Sequence, residues 1–173
     1  MIMENSWPGV YKDLVIAKNL LYDKLDLACT NPQAEPESAE YAAYNFSINK
    51  VRIKYRAAKI TPTKTGQFVT LWKRNANGPI EPLAFTDDFD VVVISTRAGN
   101  NFGQFIFPKA VLAAKGIITA NGKEGKRGFR VYPPWNMANS SQANKTQLWQ
   151  SEYFLNLAVS YDPNRAKNLY NIN

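Results

Sequence analysis

The stretch KVRIKYRA, residues 50–57, alternates basic and apolar side chains without a break. Lys50, Arg52, Lys54 and Arg56 interleave with Val51, Ile53, Tyr55 and Ala57. Side chains of an extended chain point alternately to opposite faces, so a period of two predicts a strand with one buried and one basic face. A helix repeats every 3.6 residues and would scatter this pattern around its axis. The chain must therefore build a sheet and cover one side of it. Hydrophobic residues make up 45% of the 173, enough for a packed core.

Patterns elsewhere predict the partners of that strand. Leu14, Ala17, Leu21 and Leu25 fall on one face of a helix over residues 13–28. TNPQAEPESAE reads as a loop, with a short helical turn through SAEYAAY. GQFVTLWKR is a second strand, joined to the first by the ITPTKTG turn. FDVVVIST is a short apolar run suited to a central strand, and FGQFIF is a fourth strand. Pro108 opens a helix, PKAVLAAKG, that Gly116 stops. ITANGKEGKRGFRVY predicts a hairpin with NGKEGKRG at its tip. A last helix spans 141–158, and the tail after Asp162-Pro163 is expected to be loosely ordered. The order predicts an α/β or α+β fold, a central mixed β-sheet flanked by helices. One domain over 1–173 divides into an acidic helical region at 1–40, a core at 45–158 and a tail at 160–173.

Charge is segregated along the chain. Residues 50–74 hold eight basic side chains and no acidic one, whereas residues 1–40 hold seven acids and three bases. Blocks of opposite sign imply distinct faces with distinct partners. Cations at every second strand residue stand about 6.6 Å apart, close to two base-pair steps of DNA. The ladder is suited to a phosphate backbone, although edge strands also carry Lys and Arg to discourage aggregation. Lys59, Lys64, Lys73 and Arg74 extend it. Lys123, Lys126, Arg127 and Arg130 form a second basic cluster. Tyr55 and Trp72 read either as stacking platforms or as core. The expected partner is DNA, held mainly through phosphates by these twelve residues.

The chain has no histidine and one cysteine, Cys29. That removes Ser-His-Asp triads, Cys-His pairs and ordinary zinc sites. Catalysis would rest on carboxylates, Lys, Tyr, Ser or Thr, or Mg²⁺ on oxygen ligands. Asp88 and Asp90 flank Phe89 and share a face if extended, which makes them candidate Mg²⁺ ligands for phosphodiester hydrolysis. Turn formation and pairing with a lysine is the plainer reading of the same residues. Restriction-type nucleases follow a first acid with (D/E)-x-K on the next strand. Here Gln104 takes the second-ligand place, Ile106 replaces the lysine, and Lys109 follows at the helix start. The candidate catalytic set is thus Asp88, Asp90, Gln104 and Lys109, with the motif incomplete. Glu124-Gly125-Lys126 spells the tripeptide in a Gly-rich tip, where chance explains it. YPPWN suggests a third reading, a pocket for a small anionic ligand or protein partner, from Tyr132, Trp135 and Trp149. No membrane-length apolar run or leader-like N-terminus is present, so a soluble cytoplasmic protein without an obligate protein partner is expected.

RAAKITPTKTGQFVTLWKRN, EPLAFTDDFDVVVI, FGQFIFPKAVLAAKGI and GKRGFRVYPPWN, in that order, resemble the bacterial MepB family over about residues 35–158. The resemblance implies a restriction endonuclease-like core and DNA binding, without licensing cleavage. The family-pattern positions are Arg56, Lys59, Thr61, Lys64, Gln67, Trp72, Lys73, Arg74, Asp88, Asp90, Gln104, Lys109, Arg130, Tyr132 and Trp135.

Overall fold

β-Branched and aromatic runs set the centre of the molecule. The computed structural model describes residues 6–76 and 78–172. Helix α1 (Lys12–Ala17) runs into a π-helical turn at Lys18–Tyr22, and a 3₁₀ turn spans Ala39–Tyr41. Around it come β1 (Gln33–Ala34), β2 (Tyr44–Ile48) and β3 (Val51–Ala57). The next strands are β4 (Lys59–Ile60), β5 (Gln67–Thr70), β6 (Trp72–Arg74) and β7 (Ile80–Pro82). Then follow β8 (Val91–Ala98), β9 (Asn101–Pro108), α2 (Lys109–Ala114) and β10 (Gly128–Val131). The chain closes with α3 (Ser141–Ser151), β11 (Phe154–Asn156) and α4 (Pro163–Leu169).

Six strands form the main sheet in the order β1-β2-β3-β8-β9-β11. β3 and β8 are parallel and the other pairs antiparallel, so the sheet is mixed and the fold α+β, as expected. Val91–Thr96 of β8 is buried throughout, which fits its unbroken apolar sequence to a strand covered on both faces. One face carries Phe46, Ile53, Tyr55, Val93 and Ile106 against Leu14, Leu21, Tyr22 and Tyr170. The other carries Val92, Ile94, Phe105 and Phe107 against Val69, Leu71, Leu112 and Phe129. A three-stranded sheet, β10-β5-β4, covers this second face, with the β6-β7 ribbon beside it.

Four local expectations change. The first helix is shorter than 13–28, since the chain leaves helical geometry after the π-turn and Asp26 takes a φ of 56°. The 118–132 segment is not a hairpin. Thr119 bridges Ala84, Ala120 meets only Lys123, and β10 pairs instead with β5. Helix α3 ends at Ser151, and Phe154 and Leu155 then join the sheet edge beside β9. The tail is ordered. Asp162 caps α4 by accepting from the Asn164 amide at 2.9 Å, and Tyr170 and Ile172 are buried in the core. No helix among the described residues is long and apolar enough to cross a membrane.

Candidate nucleic-acid interface

β3 brings its basic residues inside the molecule. It is a central strand, and its polar face looks toward the small sheets. Exposure falls along it: the Arg52 side chain is 48% exposed, Lys54 16% and Arg56 0%. Each meets carboxylates from distant segments. Arg52 donates to Asp88 Oδ1 at 2.7 Å and Asp90 Oδ1 at 2.9 Å. Lys54 Nζ lies 3.4 Å from Glu35 Oε1 and 3.2 Å from Asn45 Oδ1. Arg56 Nη1 donates to Glu35 Oε2 at 2.6 Å, and its Nε to the Thr70 carbonyl at 3.2 Å. Lys73 pairs with Asp87 at 2.6 Å and Arg74 with Glu37 at 3.0 Å. The 50–74 block is therefore largely compensated, contrary to the expectation of an acid-free ladder. The acidic N-terminal region supplies Glu35 and Glu37. Burial pulls the Lys54 ammonium below the ordinary lysine range, and the Arg56 charge adds to that while Glu35 opposes it.

Of the predicted catalytic set, Asp88, Asp90 and Lys109 gather at one corner, where the Lys109 amide donates to the Asp90 carbonyl at 3.0 Å, and Gln104 lies elsewhere. Asp87 closes a turn by accepting from the Ala84 amide at 2.8 Å. Arg52 holds Asp88 and Asp90 together, and its hydrogen bonds keep Asp90 below the usual carboxylate range. A guanidinium thus holds the two candidate Mg²⁺ ligands, which is the plainer reading of turn formation and ion pairing, with Arg52 in place of a lysine. Lys109 donates to the Asp87 carbonyl and lies over the Phe89 ring. Gln104 is on the opposite sheet face, fully buried, where its Oε1 accepts from Tyr170 Oη at 2.7 Å and its Nε2 donates to Tyr22 Oη at 3.3 Å. No group of three His, Cys, Asp or Glu side chains among the described residues is arranged to hold a metal ion.

Apart from Lys50, the remaining predicted cations are on the three-stranded sheet and the loops around it. Register places Lys59 of β4 opposite Phe68 of β5, and Phe68 opposite Arg130 of β10. Directly paired residues share a sheet face, so the three form a row across the sheet. Their face is the outward one, because Val69, Phe129 and Val131 point into the core. Tyr41 packs edge-on to Phe68, Lys59 Nζ lies 4.9 Å from the Tyr41 ring centroid, and Arg130 lies 5.9 Å from that of Phe68. Thr61 Oγ1 and the Thr65 carbonyl accept from the Arg130 guanidinium at 2.6 and 3.2 Å, which ties the loop bearing exposed Lys64 to the row. Among the described residues, Lys59, Lys64, Lys123, Lys126 and Arg130 make no ion pair, whereas Arg127 pairs with Glu124 at 3.0 Å. Lys50 is exposed at the β2–β3 turn with a φ of 73°. Phe68 and Tyr41 were missed in the sequence. The signal for Phe68 was its outward position in the alternation of GQFVT; nothing local marks Tyr41.

The aromatic candidates divide as well. Tyr55 is buried core, donating to Ser95 Oγ at 2.6 Å. Trp135 packs edge-on to Phe154. Tyr132 and Trp149 do line one pocket, together with Lys115, which sequence reasoning had not singled out.

The MepB-like family model matches residues 35–156. A crystal structure of MepB superposes with a TM-score of 0.74 at 34% identity, covering 84% of this chain and 97% of that one. This chain belongs to the MepB-like family. Its family-matched segment contains β2 to β11 and every residue of the Lys59–Phe68–Arg130 row, whereas α1, β1 and α4 lie outside. The structure of a bacterial homing endonuclease is also similar, with a TM-score of 0.47 at 11% identity, covering 86% of this chain and 91% of that one. No curated protein sequence matches the chain.

Proposed function

We propose that this MepB-like protein binds nucleic acid, with DNA as the expected partner, through phosphate contacts on the outward face of the β10-β5-β4 sheet. The observation that carries the reading is the cross-strand row Lys59–Phe68–Arg130, whose cations lack any carboxylate partner among the described residues. Acid-free cations on a sheet neutralise phosphates and release counterions. Interleaved rings give bases a surface to stack on, a combination typical of sequence-tolerant strand binding. The buried ladder of β3 serves a different end: it joins the N-terminal segment to the sheet through Glu35. Of the twelve residues expected to contact phosphates, Lys54 and Arg56 therefore drop out, and Lys59, Lys64 and Arg130 carry the reading.

Binding to a duplex and to a single strand, measured by anisotropy over a salt series, tests the reading. Lys59→Ala with Arg130→Ala is expected to reduce the slope of log K against log salt by about two. Arg74→Ala, which removes a cation already paired with Glu37, is expected to change it little. Equal slopes for the double variant and the parent protein refute the assignment.

A further inference from the structure

Beside the proposed interface lies a pocket of about 380 Å³ between β10, the end of α2 and one face of α3. That volume is within the range of small-ligand sites. Lys115, Lys126 and Arg130 line it, and no Asp or Glu does. None of the three cations has an ion-pair partner among the described residues. Lys115 Nζ sits 5.2 Å from the centroid of the Trp149 ring, which forms part of the wall. Ser140, the N-cap of α3, brings the first turn of that helix to the rim, and its Oγ already accepts from the Ala143 amide at 3.0 Å.

The pocket is built rather than left over from packing. Gln150 is fully buried and clamps α3 to β10 on both sides. Its Oε1 accepts from the Tyr132 amide at 2.8 Å, and its Nε2 donates to the Arg130 carbonyl at 3.0 Å. This fixes the distance between helix and strand, and so the mouth between them. Lys115 and Lys126 line the pocket without a counter-charge, while the Arg130 guanidinium is held at its border by Thr61 and Thr65, and cations of one sign so grouped are stabilised by a compact multivalent anion. A diester phosphate carries one negative charge and is served by a flat row of cations. A concavity with two acid-free lysines and an arginine at its border fits a dianionic phosphate monoester better.

We propose that this pocket takes a phosphate monoester, either at the end of a nucleic-acid strand or on a free mononucleotide. The inference shares Arg130 with the proposed interface and rests on that face being phosphate-binding, yet it can be measured separately. Calorimetry with adenosine 5′-monophosphate and with adenosine isolates the phosphate. Anisotropy with two oligonucleotides of one sequence, one 5′-phosphorylated and one 5′-hydroxyl, isolates the strand end.

The monophosphate is expected to bind and adenosine to bind at least about tenfold more weakly. Lys115→Ala, at an exposed helix end, is expected to remove about tenfold of that preference while binding of the 5′-hydroxyl strand persists. Tighter binding of the 5′-phosphorylated strand identifies strand ends as the source. Monophosphate binding without strand discrimination identifies a free nucleotide. Monophosphate binding with no oligonucleotide binding at all removes the proposed interface and leaves the pocket standing. Equal binding of nucleotide and nucleoside, no binding of either, or a monophosphate affinity that Lys115→Ala leaves unchanged overturns the inference.

Discussion

Glu35 serves two basic residues of β3 at once. It accepts from Arg56, whose side chain is wholly buried, and lies beside Lys54. A buried cation without its partner is strongly unfavourable, because desolvation is no longer offset by the ion pair and its hydrogen bonds. Arg56 Nη2 already lacks a partner, so little is held in reserve. Glu35→Ala is expected to destabilise the fold by about 3–5 kcal/mol, read by calorimetry as a fall in Tm of roughly 10 °C. Adding Arg56→Met to that variant should restore part of the loss. A Glu35→Ala protein that melts with the parent shows that the pair contributes nothing. Residue chemistry of this kind was half legible in the sequence. The alternation announced a strand and the acid-free block announced the charge, but a carboxylate twenty-one positions upstream of Arg56 has no sequence signature. Period two says which residues share a face; it does not say whether water or another segment covers that face.

Elements were most legible where one physical signal acted alone. The apolar run of β8, the Pro108 start of α2 and the Gly116 stop at φ 72° all stand where expected. Elements were least legible where tertiary pairing decided the outcome. Leu155 would suit a helix as well as a strand, and it becomes a strand residue because β9 offers an open edge. Gly103 makes that edge usable. A Cβ on Gly103 would overlap the Phe154 ring and stand 2.6 Å from the Leu155 carbonyl oxygen. Backbone cannot yield there as a side-chain tip can. Gly103→Ala is expected to cost about 1–3 kcal/mol and to free β11 selectively. Hydrogen exchange of the Phe154–Asn156 amides should accelerate well beyond that of the β3–β8 pair. Uniform acceleration across the sheet would place the strain elsewhere.

At the scale of the whole molecule, the net charge of +7 is unevenly distributed. Ion pairs among the described residues take up acids from the N-terminal region and the 81–90 segment, and they quench most of the central basic block. The cations left without partners near the three-stranded sheet then dominate the local field, which steers a polyanion to that side. Lys12 and Lys24 are equally exposed but belong to the segment with α1 and its acidic neighbours. Acetylation of lysines with and without DNA, read by mass spectrometry, separates local binding from diffuse attraction. Lys59 and Lys64 are expected to be protected several-fold, because a bound phosphate backbone covers them. Lys12 and Lys24 are expected to react at the rate seen without DNA. Equal protection at all four would mean that the strand follows net charge alone, and the sheet face would lose its claim as the site.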